Sequence, residues 1–221
     1  MNSLYNKYKL YTYIIMKYFI KNTDNNGNPL SEDQRIFFNN SKCINKQKQL
    51  ILCYHGSPNK FEKFEKKKIG STNDFGMYGP GFYFSNKRNN AINWGTTDTE
   101  KVYLYKVYLN ITKPFYIVDA KSEKKFYDIF DKDIDNALRK DGIDPNKKGL
   151  NLAEINTPNY RKQKMKNFEK IKEKYDGVIV TYFQNETGPH EEQYVIFDAN
   201  QVKLIDNDIP SKNKEMTESI H

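Results

Sequence analysis

Three short segments hold the side chains best suited to chemistry: Tyr54-His55-Gly56-Ser57, Gly79-Pro80-Gly81-Phe82-Tyr83-Phe84 and Gln193-Tyr194-Val195-Ile196-Phe197-Asp198. The imidazole of His55 and the hydroxyls of Ser57 and Tyr83 offer hydrogen bonds to a ligand, and a glycine such as Gly56 lets a ligand approach the backbone closely. Trp94, the chain's one tryptophan, follows Tyr83 by 11 residues. Its π face suits a cation. Taken singly, each feature has a plainer reading: a strand-end histidine, core aromatics at Tyr83 and Trp94, and turn glycines at Gly79 and Gly81. None of the segments is a strong motif alone, so the signal lies in their order and spacing.

The elements that must position these residues follow from apolar patterning. Leu50 to Tyr54 is an apolar run of strand length that hands His55, Gly56 and Ser57 to a loop. From Pro58 to Gly81 the chain is rich in Lys, Gly, Asn and Ser, with Phe61, Phe64 and Phe75 as anchors. Phe82 to Ser85 reads as a strand, and Lys87 to Trp94 as a helix stopped by Gly95. Val102 to Asn110 is the clearest strand, followed by Pro114 and a run from Phe115 to Val118. Between Lys121 and Lys140, Phe126, Ile129, Phe130, Ile134, Ala137 and Leu138 fall on one helical face. A second helix spans Tyr160 to Lys174, with Met165, Phe168 and Ile171 expected inward. Gly177 to Tyr182, Gln193 to Phe197 and Val202 to Ile205 read as strands. Before all of these, Ser31 with Gln34 caps a short helix bearing Ile36, Phe37 and Phe38. Strands at both ends with helices grouped between them argue for α+β rather than a doubly wound sheet. Residues 1–30 read as an N-terminal extension, 31–206 as one domain and 207–221 as a flexible polar tail.

The 221 residues suffice for one domain with a real core. The formal charge of +8 suits an acidic partner, but lysines are scattered, and the tightest cluster, Lys66 to Lys68, reads as a solvated loop. Cys43 and Cys53, with three histidines in all, are too few for a disulfide framework or a zinc site. No metal is expected. The apolar run from Tyr11 to Met16 is too short for a signal-peptide core or a membrane span. A monomer in the cytoplasm, without a membrane partner, is the expectation.

In order and spacing, the three segments resemble the signature of the diphtheria-toxin and poly(ADP-ribose) polymerase branch of ADP-ribosyltransferases: a histidine, a tyrosine and a glutamate on three strands. The resemblance runs from near Leu50 to about Asp206. A closer likeness is to the ADP-ribosyltransferase-like domains of phage and mobile-element polyvalent proteins. It rests on Gln34, Phe37 and Phe38 ahead of the His-Gly strand, on Val107 to Ile111 with Pro114, on Tyr175 to Val180, and on the close from Phe197 to Lys203.

That resemblance implies two twisted antiparallel sheets around an NAD⁺ cleft, with flanking helices. It implies that His55 bonds the adenosine-side ribose, Gly56 clamps the nicotinamide carboxamide through its backbone, and Ser57 meets the nicotinamide ribose. Tyr83 takes the family's second-strand tyrosine, with Gly81 beside it, and Trp94 sandwiches the nicotinamide ring. Phe75 and Tyr78 fall where aromatics meet the adenosine side. Ala91 stands where relatives often have a serine. Gln193 stands where the family has its glutamate, and Glu191, two residues earlier, is a substitute if the strand extends that far. The plainer reading of Glu191 and Glu192 is a solvated strand start. The implied function is NAD-dependent mono-ADP-ribosylation of a macromolecule, protein ahead of nucleic acid. The alternatives are a catalytically degenerate module that binds NAD or ADP-ribose, and an NAD glycohydrolase. The resemblance also leaves a toxin or a host-modifying effector as roles.

Overall fold

The structure, a computed structural model, describes residues 19–69, 75–95, 101–181 and 191–205, and the backbone of 217–220. The expected extension up to residue 18 and the tail over 206–216 lie outside the described residues. The chain divides into two compact units: Met1–Phe64, Phe84–Thr112 and Asn200–His221 form one, Glu65–Tyr83 and Lys113–Ala199 the other.

The first unit contains helix α1 (Glu32–Phe38), strand β1 (Cys53–Ser57), helix α2 (Arg88–Gly95) and strands β3 (Val102–Leu109), β7 (Val202–Leu204) and β8 (Thr217–Ile220). Ser31 and Gln34 form the reciprocal capping box expected for α1. Phe38 then packs with Ile20, Leu30, Leu50, Leu52 and Tyr108 in a core of its own. Two of those residues come from the segment read as an extension. Buried Asp24 fixes them: its carboxylate accepts from the Asn26 and Asn28 amides and from the Tyr108 hydroxyl, 2.9 Å away. β3 lies antiparallel to both β1 and β7, and also pairs with β8.

The second unit contains β4 (Pro114–Ile117), α3 (Ala120–Phe130), α4 (Ile134–Lys140), α5 (Leu152–Ile155), α6 (Pro158–Lys172), β5 (Gly177–Val180) and β6 (Gln193–Ile196). β2 (Phe82–Ser85) has residues in both units. Phe126, Phe130, Phe168, Ile171, Val178 and Val195 are in the core of this unit. β4 and β5 run parallel, with Phe115 opposite Val178, while β5 and β6 are antiparallel. The strand order is β4-β5-β6-β2-β1-β3-β7 in one hydrogen-bonded sheet. The α+β class holds, but the expectation of two antiparallel sheets gives way on two counts. The strands join one sheet because β2 offers both of its edges. The β4–β5 pair is parallel because four helices separate the two strands, which permits a crossover that a hairpin does not. Among the described residues, no helix is long and apolar enough to cross a membrane.

Two expectations for the helices also change. The apolar face between Lys121 and Lys140 is carried by two helices, broken at Asp131–Asp133, where Asp133 adopts a left-handed φ of 61°. Met165 is 39% exposed, and Lys164 and Asn167 are buried in its place. The break explains this exchange. Asn167 Nδ2 donates to the carbonyls of Phe130 and Lys132, which the interrupted helix leaves without backbone partners, and Gln163 Nε2 shares the Lys132 carbonyl. Lys164 binds Asp131 and sits 3.8 Å from the centroid of the Phe130 ring.

Asn167→Leu, which a purely hydrophobic reading would favour, is therefore expected to cost about 2 kcal/mol by leaving the buried Phe130 carbonyl unbonded. Met165→Gln should stay within about 0.5 kcal/mol of the parent. Urea unfolding of both variants checks the pair, and a neutral Asn167→Leu would contradict the assignment.

Candidate functional site

β1 delivers its side chains alternately to two faces, so Gly56 points one way and His55 and Ser57 the other. Its register on β3 sets His55 opposite Tyr105 and Gly56 opposite Leu104. On the Gly56 face lies α2. A Cβ added at Gly56 would fall 1.9 Å from the Ala91 carbonyl oxygen, and one at Gly95 would fall 2.5 Å from the Gly56 carbonyl carbon. Strand and helix thus meet backbone to backbone, which requires glycine at both positions. The small side chain of Ala91 is fully buried at this contact. Trp94, the residue before Gly95, is 45% exposed on the same helix.

The opposite face of β1 carries a cluster of rings that the sequence reading did not assign to the site. His55 has the rings of Phe64 at 5.3 Å, Phe84 at 5.4 Å, Phe61 at 6.0 Å and Tyr105 at 6.2 Å. Phe61 is held there twice over. It stacks on Tyr105 at 3.9 Å and 11°, its amide donates to the Tyr105 hydroxyl, and that hydroxyl donates to its carbonyl. Phe61 and Phe64 are legible in the sequence as loop anchors. Their target is not, because Tyr105 is 44 residues away from Phe61. Ser57 opens the loop: its hydroxyl donates to the Asn59 carbonyl and accepts from the Asn59 amide.

In the second unit, the Tyr83 hydroxyl accepts from the Tyr78 amide at 3.0 Å and donates to the Gly79 carbonyl at 2.8 Å. It thereby closes the turn that leads into β2. The glycines of this turn answer packing demands of their own. Gly79 has a left-handed φ of 92°, and a Cβ there would meet the Phe168 ring at 2.7 Å. A Cβ at Gly81 would meet the Ile196 carbonyl oxygen at 2.6 Å. Tyr78 is buried, with its hydroxyl 3.4 Å from Glu123, and burial pushes its pKa up, with help from Tyr127 and Glu123. Phe75 is half-buried, at 6.3 Å from the Tyr160 ring.

Gln193 begins β6 opposite Val180 and is buried. β6 starts at Gln193, so Glu191 lies before the strand rather than within it. Glu191 is nevertheless only 8% exposed, which overturns its reading as a solvated strand start. Glu192 accepts a hydrogen bond from the Tyr194 hydroxyl. The structure thus assigns His55, Gly56, Ser57 and Trp94 to the first unit, and Phe75, Tyr78, Gly81, Tyr83, Glu191 and Gln193 to the second. Among the described residues, no cluster of His, Cys, Asp and Glu is arranged to hold a metal ion.

Gly56→Ala is expected to destabilise the protein by at least about 2 kcal/mol, since the new methyl meets backbone rather than a movable side chain. Gly95→Ala should act alike. Thermal unfolding reads both, and an unchanged midpoint would mean that β1 and α2 do not meet as described.

A family described as ADP-ribosyltransferase in polyvalent proteins has a sequence model that matches residues 45–212. Among solved structures, the chain is similar to one described as the crystal structure of an anti-CRISPR protein. That match has 14% identity and a TM-score of 0.28, and covers 68% of this chain and 92% of the other. No curated protein matches the chain.

Proposed function

The chain belongs to the ADP-ribosyltransferases of polyvalent proteins, and on that premise we propose that it transfers single ADP-ribose units from NAD⁺ to a macromolecular acceptor, protein ahead of nucleic acid. The observation that carries this reading is the placement of His55, Tyr83 and Gln193 on three separate strands, β1, β2 and β6, in the chain order of the family signature.

In the proposed reaction, the bond between the nicotinamide nitrogen and ribose C1′ breaks. Nicotinamide leaves with the bonding electron pair, and positive charge develops on the ribose as in glycoside cleavage. An acceptor atom then forms the new bond to C1′ and loses its proton. His55 bonds the adenosine-side ribose, the Gly56 backbone holds the carboxamide, and Trp94 offers its exposed face to the nicotinamide ring. Gln193 bonds a ribose hydroxyl but brings no charge. A carboxylate about 4 Å from the developing cation, at an effective dielectric of about 20, is worth on the order of 4 kcal/mol. Its absence corresponds to roughly a thousandfold in rate. Slow transfer of one unit fits this site, and processive polymer synthesis does not.

A second reading, a module that binds NAD or ADP-ribose without cleaving it, is favoured by Gln193 and by the Ser57 and Tyr83 hydroxyls, which are already bonded within the chain. An NAD glycohydrolase would use the same groups with water as acceptor.

Nicotinamide release and label transfer from adenosine-labelled NAD⁺ separate these readings. The parent chain should release nicotinamide slowly, His55→Ala should lose at least tenfold, and Gln193→Glu should gain up to roughly a thousandfold. Label recovered only as free ADP-ribose would replace the transferase reading with hydrolysis. Silence from the parent and from Gln193→Glu, with NAD⁺ still bound, would replace it with the binding module.

A further inference from the structure

The second unit contains a pocket of about 420 Å³. That is the size of a small-molecule site, about 300–1,000 Å³. The cations Lys66, Arg161, Lys162 and Lys172 line it, three of them from α6. The one acid among the lining residues, Glu169, is engaged by Lys172 at 3.1 Å. Among the described lining residues, no other acid stands against Lys66, Arg161 and Lys162. Lys66 comes from the run that reads in the sequence as a solvated loop, and it gains a role only through the fold.

Below the cations the lining is apolar and aromatic, with buried Phe168 and Phe197, half-buried Phe75 and partly exposed Met165. An inorganic anion would use the cations and leave this floor wet. An apolar ligand would gain nothing from three uncompensated charges and would lose by desolvating them. A ligand that uses both carries an ionised phosphate together with a flat unsaturated ring. Arg and Lys bind phosphate through charge-assisted hydrogen bonds, and aromatic faces accept a base by stacking. A long single- or double-stranded nucleic acid would call for an extended basic stripe, whereas the four cations here gather around one concavity.

We propose that this pocket binds a nucleoside phosphate, as a free nucleotide or as the phosphorylated end of a strand. Phe75 is the one lining residue that also figures in the NAD⁺ reading. The proposal does not depend on His55, Trp94 or Gln193, none of which lines the pocket.

Calorimetric titration of the full chain with AMP, adenosine, inorganic phosphate and a 5′-phosphorylated tetranucleotide tests it. AMP should bind at least tenfold more tightly than adenosine or phosphate alone. Reversing two charges on α6, Arg161→Glu with Lys162→Glu, should weaken AMP at least tenfold. Lys66→Glu, on a different element, should weaken it several-fold, with circular dichroism melts confirming that both variants fold. Ile36→Ser, at an exposed position of α1 outside both sites, should leave AMP affinity unchanged. Competition by the tetranucleotide would assign the ligand to strand ends, and its failure to compete would assign it to free nucleotides. Equal affinity for adenosine and AMP, or indifference to the charge reversals, would overturn the proposal. Failure of NAD⁺ cleavage would not bear on this result, because the assay reads binding alone.

Discussion

The contact between the backbones of β1 and α2 governs the first unit. With Gly56 against the Ala91 carbonyl, and Gly95 against Gly56, no side chain separates strand from helix. Because residues alternate along a strand, this contact obliges His55 and Ser57 to project from the other face. The Ala91 side chain beside this contact is fully buried. Gly56 has a physical reason for being glycine whether or not a ligand approaches it, and a role in holding a carboxamide rests on the backbone position that packing has fixed.

The second unit solves a similar problem at the turn before β2. Tyr83 spends its hydroxyl on the Tyr78 amide and the Gly79 carbonyl, and Gly79 and Gly81 yield space to Phe168 and to β6. Its ring packs, half-buried, against the core of this unit. A hydroxyl likewise holds the scaffold at Ser57, where it starts the loop that brings Phe61 and Phe64 over His55. Four rings surround the half-buried imidazole of His55 and fix its orientation.

Polar burial marks where the fold departs from simple periodicity. Asn167 and Lys164 are drawn inward by the chain break after α3 rather than by hydrophobicity, and Met165 is left at the surface beside a basic pocket. Asp24 plays the corresponding part in the first unit, where its carboxylate gathers two amides and the Tyr108 hydroxyl. Each buried polar group is bonded to groups that would otherwise be costly to leave unmade.

Local patterning in the sequence is enough to specify the strand carrying His55, the strand after Gly81, the long strand from Val102, the capped helix after Ser31 and the family to which the chain belongs. The glutamine at position 193 is likewise plain, since residue identity needs no fold. The tertiary structure alone decided the parallel pairing of β4 with β5, the break at Asp131–Asp133, the burial of Glu191, the ring cluster around His55 and the gathering of Lys66 with α6. The physical reason is common to all of these. Periodicity reports which face of a single element is apolar, whereas a neighbour such as Tyr105, 44 residues from Phe61, is set by strand pairing and by backbone groups that must find partners at a distance.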